Sequence, residues 1–514
     1  MAQRGLGGML VGNILATAAL RHPDRESYFC SGTGRRFTFR QTNERVNRLA
    51  NALTALGLVK GDVVAFLSTN RVEVVEIYFA LAKTGIVGLP LNYRLAPVEM
   101  VELATSMGAT GILIEKGHDE AAAHLRRDAP GILHTVVIGD DEPAHGLGYE
   151  RLLAGSHEAE PQVEIGEGDP FYFNLTSGTT GLPKSYVMTQ YNMSTMFPMF
   201  HAHGMTEKDV ALTVFPMFGR VGFGWAMATA MYGVRNVLAN FEPAAVLRLI
   251  ETERVSIVNL VATMSAMLLS CDRLAATDLS SLRGTTFVGS ALPERIRNET
   301  MQRICPNLYE YYGMQETGAL AVSTPEDRAR RPDSVGRAIL FAEVRVVDDA
   351  GRPLPAGELG EVIGRSPNSV TAYWQNPEKS AETFRDGWIH TGDLGRIDDE
   401  GYLFISGRKK DMIITGGQNV HASEVEGAVL GCEGVADCAV IGLPDDFWGE
   451  RVAAVVVAAE GAAVDGDAVI RACRSRLAGF KTPKEIIVQS EPLPRTPTGK
   501  VQKFLLVERY AKKS

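Results

Sequence analysis

Hydrophobic positions in the first four hundred residues alternate between two periods, one typical of strands and one typical of helices. A β-branched run, GDVVAFLST at 61–69, is followed by VEVVEIYFALAKTG at 72–85, whose apolar residues recur with helical spacing and end at a glycine. The runs at 255–261 and 285–290 read as buried strands, and a helical stretch, ALPERIRNETMQRIC, follows the second. The pattern predicts an α/β fold with a large N-terminal domain of several subdomains, in which helices flank mostly parallel sheets.

The pattern changes near residue 395. The segment LGRIDDEGYLFISGR predicts a hairpin of two short strands around residues 398–401. After Arg408, short strands and two helical stretches, ASEVEGAVLG and DAVIRACRSRLAGF, predict a compact α+β unit of about a hundred residues. We therefore predict an N-terminal domain over 1–407 and a small C-terminal domain over 408–514.

Composition narrows the class of protein. Hydrophobic residues make up 45% of the chain and charged residues 22%, as in ordinary globular enzymes. The net charge of −9 and the absence of a basic block argue against a nucleic-acid partner. The N-terminal apolar stretch is short and interrupted by Asn13, no apolar run is long enough to span a membrane, and the six cysteines are scattered. These features predict a cytoplasmic enzyme without a membrane span.

One loop combines several groups that bind phosphate. In NLTSGTTGLPKS at 174–185, a strand-like run leads into hydroxyl groups, glycines that let backbone N–H groups converge, and a lysine. The candidate ligands of a polyphosphate are Thr176, Ser177, Gly178, Thr179, Thr180 and Lys184. The spacing is not that of a Walker A loop.

This loop resembles the phosphate loop of the adenylate-forming superfamily, which includes acyl-CoA synthetases, peptide-synthetase adenylation domains and firefly luciferase. Four further segments resemble that superfamily in the same order: YYGMQETG at 311–318, WIHTGDLG at 388–395, GRKKDMIITGGQNVHASEVE at 407–426 and PRTPTGKVQK at 494–503. Together the segments cover residues 20 to 505. The chain is identified as a member of this superfamily, of the acyl-CoA synthetase type.

The resemblance implies a two-step acid–thiol ligase that uses ATP, Mg²⁺ and coenzyme A. Attack of a carboxylate on the α-phosphate of ATP gives acyl-AMP, whose AMP is a good leaving group, and the thiol of coenzyme A then attacks the carbonyl. Because the first step brings two anions together, it needs cations and fixed hydrogen-bond donors.

The resemblance also implies roles for single residues. Lys500 would bridge the acyl carboxylate and the α-phosphate, Glu316 would hold Mg²⁺, and Asp393 would accept hydrogen bonds from the ribose hydroxyls. Arg408 would reach the ribose or form a salt bridge within the hairpin. The remaining implied residues surround the adenine and its strand (Gly289, Ser290, Ala291, Tyr312, Gly313), act as the hinge of a mobile C-terminal domain (Lys410), or leave room for the pantetheine arm (Gly416, Gly417).

Four positions depart from the superfamily pattern. Gln315 stands where a threonine hydroxyl meets the AMP phosphate, Ser185 where a glycine follows the loop lysine, Gln190 where a histidine is common, and Gly219 where acyl-CoA synthetases carry histidine. A glutamine amide can still donate a hydrogen bond. Two hypotheses stay open: a working two-step ligase, or an enzyme with weakened or lost adenylation that receives preformed acyl-adenylate from a separate adenylating enzyme.

The segment FPMFGRVGFGWA at 215–226 is the expected acyl pocket. Loss of an imidazole at Gly219 leaves volume, and the neighbouring side chains are apolar, which favours a bulky hydrophobic acid. The predicted lining residues are Phe218, Gly219, Val221, Phe223 and Trp225. Arg220 could meet a second polar group or point to solvent.

Three other hypotheses about the function remain open. A stand-alone adenylation enzyme would pass acyl-AMP to a carrier protein, a luciferase-like oxidase would consume it, and a non-catalytic protein would only bind acyl-nucleotides. The pocket segment lacks the acidic residue that peptide-synthetase domains use for an amino group, and the retained Lys184, Glu316 and Lys500 argue against a non-catalytic protein. Large enzymes of this type are often dimers, so a homodimer is a further expectation.

Overall fold

The computed structural model describes residues 8–139, 143–175, 185–289, 292–445, 447–495 and 501–511. The strands in this part of the chain are β1 (Glu26–Cys30), β2 (Arg36–Thr38), β3 (Val63–Leu67), β4 (Val87–Pro90), β5 (Ala109–Glu115), β6 (His134–Ile138), β7 (Leu147–Gly148), β8 (Pro170–Leu175), β9 (Ser185–Thr189), β10 (Val210–Thr213), β11 (Arg235–Leu238), β12 (Ile257–Leu260), β13 (Gly284–Val288), β14 (Leu308–Met314), β15 (Gly318–Ser323), β16 (Arg337–Ala338), β17 (Glu343–Val347), β18 (Gly360–Arg365), β19 (Phe384–Arg385), β20 (Trp388–Ile397), β21 (Leu403–Arg408), β22 (Met412–Thr415), β23 (Gln418–His421), β24 (Val435–Asp445), β25 (Gly449–Ala458) and β26 (Glu485–Gln489).

The helices are α1 (Val11–Arg21), α2 (Phe39–Ala55), α3 (Val72–Thr84), α4 (Pro97–Ser106), α5 (Asp119–Asp128), α6 (Tyr149–Ala154), α7 (Gln190–Ser194), α8 (Phe197–His201), α9 (Arg220–Met231), α10 (Pro243–Thr252), α11 (Ala262–Leu269), α12 (Glu294–Arg303), α13 (Pro325–Arg330), α14 (Pro377–Thr383), α15 (Ala422–Leu430), α16 (Gly466–Arg474) and α17 (Lys503–Ala511), with 3-10 turns at Asp272–Ala276 and Lys409–Asp411. No helix of the described chain has the length and apolar character needed to cross a bilayer.

Two parallel-rich sheets form the body of the large domain. One has the order β16-β15-β14-β13-β12-β10-β11-β1-β2 and is parallel from β14 to β1; the other has the order β7-β6-β5-β3-β4-β8-β9 and is parallel except at β8–β9. Side chains of α3 and α9 and of both sheets share one hydrophobic core, and α3 is buried along its whole length. Apolar residues can occupy most faces of this helix because it is covered on every side, and its buried Glu73, Glu76 and Lys83 are each ion-paired.

Two smaller sheets follow. The first is antiparallel, with the order β17-β18-β20-β19 and with β21 also paired to β20. The second contains β23-β22-β25-β24, with β26 parallel to β25, and packs against α15 and α16 over its own apolar core. The large α/β domain and the smaller α+β domain confirm the predicted fold class. The exact boundary at 407/408 stays a prediction; β21 ends at Arg408 and β22 begins at Met412.

The individual elements largely follow the sequence pattern. The strand predicted at 61–69 is β3, the helix predicted at 72–85 is α3, and the hairpin near 395 is β20–β21, in which Ile397 pairs with Leu403. Gly85 ends α3 with φ +68°, a conformation that favours glycine. One stretch is shorter than predicted: α16 ends at Arg474, and the remaining residues to Phe480 are turns.

Candidate functional site

Part of the predicted site lies outside the described residues. The phosphate-loop residues Thr176, Ser177, Gly178, Thr179, Thr180 and Lys184 do, as do Ser290, Ala291 and Lys500. The strands on either side of the loop are described: β8 and β9 pair antiparallel up to Leu175 and Ser185. The roles of the undescribed residues stay predictions.

The turn between β14 and β15, residues 315–317, carries two of the predicted site residues. The two strands approach closely at Gly313, where a Cβ would overlap the carbonyl oxygen of Gly318. The register shifts between Tyr312 and Gly313, and the bulge turns the end of β14. Gly313 is therefore needed for strand packing, whatever else it contacts.

Glu316 is buried within this turn, with the whole residue 7% exposed. The hydroxyl of Tyr373 donates a hydrogen bond to Oε1 of Glu316 at 2.7 Å, and the backbone N–H of Val370 donates to the Glu316 carbonyl oxygen at 2.9 Å. Burial, and then the Glu316 charge, raise the pKa of Tyr373, so this hydroxyl remains a donor at neutral pH. The carboxylate is thus held in one orientation.

Gln315 is held through its backbone and its side chain. The hydroxyl of Tyr186 donates to the Gln315 carbonyl oxygen at 2.7 Å, and Nδ2 of Asn174 donates to the side-chain Oε1 at 3.2 Å. With Oε1 turned toward β8, the amide Nε2 makes no hydrogen bond within the described residues. It is therefore a donor that a ligand could use.

Arg220, the first residue of α9, is only 3% exposed. Its Nη1 donates to the carbonyl oxygen of Gln315, and its Nη2 donates to that of Asn368 at 2.7 Å. The expectation that Arg220 could point to solvent is therefore wrong, because both ends of the guanidinium are taken up by backbone carbonyls inside the protein.

A second buried carboxylate lies beside the same strand. Asp393, on β20, is 6% exposed; the hydroxyl of Tyr312 donates to Oδ2 at 2.8 Å, and Nε of Arg408 lies 3.0 Å from Oδ1. Asp393 and Arg408 are direct partners in the β20–β21 register. The hairpin salt bridge considered for Arg408 is thus present. Burial, and then the Asp393 charge, raise the pKa of Tyr312 well above its usual value.

The predicted acyl-pocket residues lie around the start of α9. Phe218 is partly exposed and packs edge-on against Tyr93, with ring centroids 5.3 Å apart. Phe223 is fully buried and stacks on Tyr78 at 3.7 Å, while Trp225 packs on Phe200 at 5.1 Å. Gly219 caps α9, and Val221 is partly exposed. Phe218, Gly219 and Val221 are therefore the more accessible members of this set.

The predicted small-domain residues are exposed. Lys410 lies in the 3-10 turn between β21 and β22, and Gly416 and Gly417 form the turn between β22 and β23, with φ of +55° and +76°. The N–H of Gly416 donates to the carbonyl oxygen of Trp448 at 2.8 Å, and a Cβ at 416 would lie 2.7 Å from the Trp448 ring. Gly417 has open space around it.

Two further residues singled out in the sequence, Gln190 and Gly289, lie in surroundings that explain their type. Gln190 is fully buried, accepts a hydrogen bond from the N–H of Val11 at 3.0 Å and donates to the carbonyl oxygen of Ala82 at 3.1 Å. It therefore attaches α1 to α3. Gly289 follows β13 with φ +93° and open space at the Cβ position, as suits a glycine next to a planar ligand.

Sequence reasoning missed the residues that hold the site residues in place: Asn174, Tyr186, Asn368 and Tyr373. Asn174 lies within the recognised loop segment and was a visible candidate. Tyr186 directly follows that segment, on β9. Asn368 and Tyr373 lie in the loop between β18 and α14, and only the long-range packing of this loop brings them to the turn.

Comparison with known proteins places the chain in a family. The model of the AMP-binding enzyme family matches residues 15–374, and that of the AMP-binding enzyme C-terminal domain matches 424–500. The chain is 36% identical over 507 residues to the long-chain-fatty-acid–CoA ligase FadD13 of Mycobacterium tuberculosis, covering 98% of both chains. It is 35% identical over 501 residues to the indoleacetate–CoA ligase of Aromatoleum aromaticum, covering 96% of both.

A solved structure shares the whole fold. The anthranilate CoA ligase AuaEII, solved in complex with anthranoyl-AMP, superposes with a TM-score of 0.89 at 28% identity, covering 98% of this chain and 97% of that one. The two family models together, and each of the relatives, span most of the chain and agree with the motifs read from the sequence. The chain therefore belongs to the AMP-binding enzyme family, within the adenylate-forming superfamily.

Proposed function

We propose that this enzyme is an acyl-CoA ligase that converts a bulky hydrophobic carboxylic acid to its coenzyme A thioester through acyl-AMP. One observation carries the proposal. Two buried carboxylates, Glu316 and Asp393, are held near the end of β14, each by a tyrosine hydroxyl, at 2.7 and 2.8 Å. Fixed buried carboxylates suit a nucleotide whose phosphates and ribose must be oriented, and Asn174, which begins the phosphate-loop segment, contacts Gln315 next to Glu316.

Asp393 suits the ribose. Its Oδ2 accepts a hydrogen bond from Tyr312, and its Oδ1 lies 3.0 Å from Nε of Arg408. A buried carboxylate that is fixed in this way is an acceptor suited to the two hydroxyl donors of a vicinal diol.

Glu316 suits Mg²⁺ bound together with ATP phosphates. Mg²⁺ is usually held by one or two carboxylates plus phosphate oxygens rather than by a protein cage. The described residues contain no cluster of three or more acidic, histidine or cysteine side chains that could hold a metal. Oε1 of Glu316 is taken by Tyr373, and the other carboxylate oxygen is the group that would coordinate. The ion would neutralise charge on the phosphates.

Other residues of the chain would stabilise the charge at the α-phosphate and carry out the thiol step. The Gln315 amide, Lys184 and Lys500 would stabilise the charge that develops at the α-phosphate as the acyl carboxylate attacks. The small domain would supply the second step, with the exposed Gly416–Gly417 turn leaving room for the pantetheine arm and Lys410 serving as the hinge. These roles are carried over from the superfamily motifs.

Support for a bulky hydrophobic acid comes from the pocket and from the relatives. Apart from Arg220, the side chains around the start of α9 are apolar, and no acidic residue stands in that segment. The two curated relatives act, by their names, on long-chain fatty acids and on indoleacetate. Both acids are large and mainly apolar.

The alternative of weakened or lost adenylation is still motivated by Gln315, which replaces the threonine whose hydroxyl meets the AMP phosphate in the superfamily. Nε2 of Gln315 makes no hydrogen bond within the described part of the chain, so it could donate to the α-phosphate, which favours an active adenylation step. We therefore retain a two-step ligase as the main proposal and acyl-adenylate transfer as the alternative. A separate adenylating enzyme, a homodimer and a cytoplasmic location remain predictions.

The test supplies each acid in two forms. Dodecanoate, ferulate and indoleacetate are offered as free acids with ATP, Mg²⁺ and coenzyme A, and as synthetic acyl-adenylates with coenzyme A alone, and thioesters are measured by mass spectrometry. We expect product from both forms. Product only from the adenylates would favour the alternative, and acyl-AMP without thioester would favour a stand-alone adenylation enzyme. Nucleotide binding without any product would overturn the proposal.

A further inference from the structure

Arg220 occupies a position that is electrostatically unfavourable for a cation. It is the first residue of α9, where the helix dipole is positive, and it is 3% exposed. A buried charge is costly unless it is paired or well hydrogen-bonded. Within the described residues no carboxylate lies within ion-pair distance of its guanidinium. The helix-forming pattern of the segment does not explain why arginine stands here.

Two backbone carbonyls compensate this charge, and both belong to the segments that fix Glu316. One is the carbonyl of Gln315, the residue before Glu316, which also accepts the Tyr186 hydroxyl. The other is that of Asn368, in the 366–370 loop, whose Val370 N–H holds the Glu316 carbonyl oxygen. Arg220 therefore links α9 to the two segments that hold Glu316, the 315–317 turn and the 366–370 loop.

The backbone leaves space for this contact. Gly318 has φ +68°, and a Cβ at 318 would lie 2.8 Å from Nη2 of Arg220 and 2.8 Å from Cβ of Asn368. A side chain at 318 would push the guanidinium away from the Asn368 carbonyl. Glycine at this position and arginine at 220 are thus matched to each other.

We propose that Arg220 is a positioning residue for the ATP-dependent half-reaction, fixing the backbone of Gln315 and Glu316 so that the amide and the carboxylate face the nucleotide phosphates. Its positive charge, which no carboxylate of the described residues neutralises, also favours anions at this turn, because charges in a buried site are poorly screened. This inference rests on the proposed function.

The experiment compares Arg220→Met and Arg220→Lys with Arg328→Met. Arg328 is a matched control, since it is 5% exposed and its Nη2 holds Glu310, on the same strand β14, at 2.9 Å. Each protein is tested for ATP–pyrophosphate exchange and for thioester formation from synthetic adenylates, with dodecanoate, ferulate and indoleacetate. Binding of ATP is measured by calorimetry across a Mg²⁺ titration.

For Arg220→Met we expect exchange to fall by about tenfold to a hundredfold, the range for losing hydrogen bonds from a charged group, with weaker ATP binding in Mg²⁺. Thioester formation from the adenylates should change little. Arg220→Lys should recover part of the exchange, because an ammonium keeps the charge but not the two-pronged geometry. Arg328→Met should lower thermal stability without separating the two half-reactions.

Equal losses in both half-reactions, no loss in either, or the same separation in Arg328→Met would overturn the inference. If Arg220→Met does not fold, Gly318→Ala displaces the same guanidinium and should give the same separation. If the wild-type enzyme makes no thioester from either form of these acids, the proposed function fails. The calorimetry then still decides: unchanged Mg²⁺-dependent ATP binding in the Arg220 variants would refute the role.

Discussion

Two turns carry the residues that the superfamily motifs single out, and they are built in opposite ways. The 315–317 turn of the large domain contains Glu316, which is 7% exposed and accepts a hydrogen bond from Tyr373. Tyr186 and Arg220 donate hydrogen bonds to the Gln315 carbonyl oxygen in the same turn. The Gly416–Gly417 turn of the small domain is exposed, and its one backbone hydrogen bond to Trp448 spans 2.8 Å. The first turn is braced, and the second is open.

The difference matches the two steps of the proposed reaction. Electrostatic stabilisation depends on groups that are already oriented before charge develops, so a braced turn suits adenylation. A turn that must admit a long pantetheine arm needs space and little side-chain volume, which two glycines supply. Each half-reaction should therefore be sensitive to a different kind of substitution: loss of a fixed group at the braced turn, and added bulk at the open one.

The largest effect should come from Glu316→Gln. Removing the carboxylate charge takes away the proposed Mg²⁺ ligand while the side-chain shape and a hydrogen-bond partner for Tyr373 remain. We expect thioester formation from free acid and ATP to fall on the order of a hundredfold or more, as for other single electrostatic groups. Formation from the synthetic acyl-adenylate should change little, as followed by mass spectrometry.

The control for this variant is Glu310→Gln. Glu310 lies on the same strand and is paired with Arg328 at 2.9 Å, away from the turn. It should lower thermal stability and leave the ratio of the two half-reactions unchanged. If Glu316→Gln lowers both half-reactions by the same factor, the braced turn is not specific to adenylation.

A smaller effect is expected at the open turn, where two glycines allow a matched comparison. Gly416→Ala and Gly417→Ala both introduce a left-handed alanine, at a cost of about 1–2 kcal/mol each. Only the Cβ at 416 meets another group, the Trp448 ring at 2.7 Å, whereas the Cβ at 417 meets nothing within 4 Å. We expect Gly416→Ala to slow thioester formation from the acyl-adenylate by about tenfold, since overpacking adds about 1–3 kcal/mol.

Pyrophosphate exchange should be unaffected in both glycine variants. Gly417→Ala should slow thioester formation by less than Gly416→Ala does, because its Cβ enters the space proposed for the pantetheine arm but meets no group within 4 Å. Trp448→Ala combined with Gly416→Ala should restore part of the rate by removing the ring. Identical rates in the two single variants would mean that space at Gly416 does not limit the thiol step.

The sequence predicted the parts of the site that lie in local motifs. The hairpin pattern near 395 was enough to expect Asp393 and Arg408 close together, and they are register partners. The sequence could not predict which side chains hold the 315–317 turn in place. Tyr373, Tyr186 and Asn174 lie 57, 129 and 141 positions from their partners, so their contacts depend on how strands and loops meet.

The same limit applies to the fold. The two periods of the hydrophobic pattern predicted strands, helices and the α/β class, because each is a local property. The strand order of the nine-stranded sheet was not predictable, since it depends on long-range pairing such as that of β1 with β11. Arg220 combines both difficulties: its neighbours in sequence are apolar, and the carbonyls that bind it lie 95 and 148 positions away.

The smallest effect on catalysis concerns the support beneath the braced turn, where the expected change is in stability. His203 is 3% exposed and lies against β14, with Nδ1 3.0 Å from the hydroxyl of Tyr311 and Nε2 2.7 Å from Oγ1 of Thr286. Burial first, and then the charge of Arg283, lower its pKa from 6.5 to about 3; Asp209 acts weakly in the opposite direction. The folded protein therefore keeps His203 neutral at pH values where the unfolded chain protonates it.

The sign of the pH dependence follows. Above about pH 6.5 neither state binds this proton, and between about pH 6.5 and 3 the unfolded chain binds more, so stability should fall by about 1.4 kcal/mol per pH unit as the pH drops. His203→Gln should remove this slope, and thermal melts of both proteins should show their Tm difference changing by a few degrees across the window. His421, beside the open turn, is only half-buried, with a pKa lowered mainly by burial, so His421→Gln should alter the slope less. Parallel pH profiles for wild type and His203→Gln would show that protonation of His203 is not coupled to unfolding and that the support of the braced turn does not extend to this histidine.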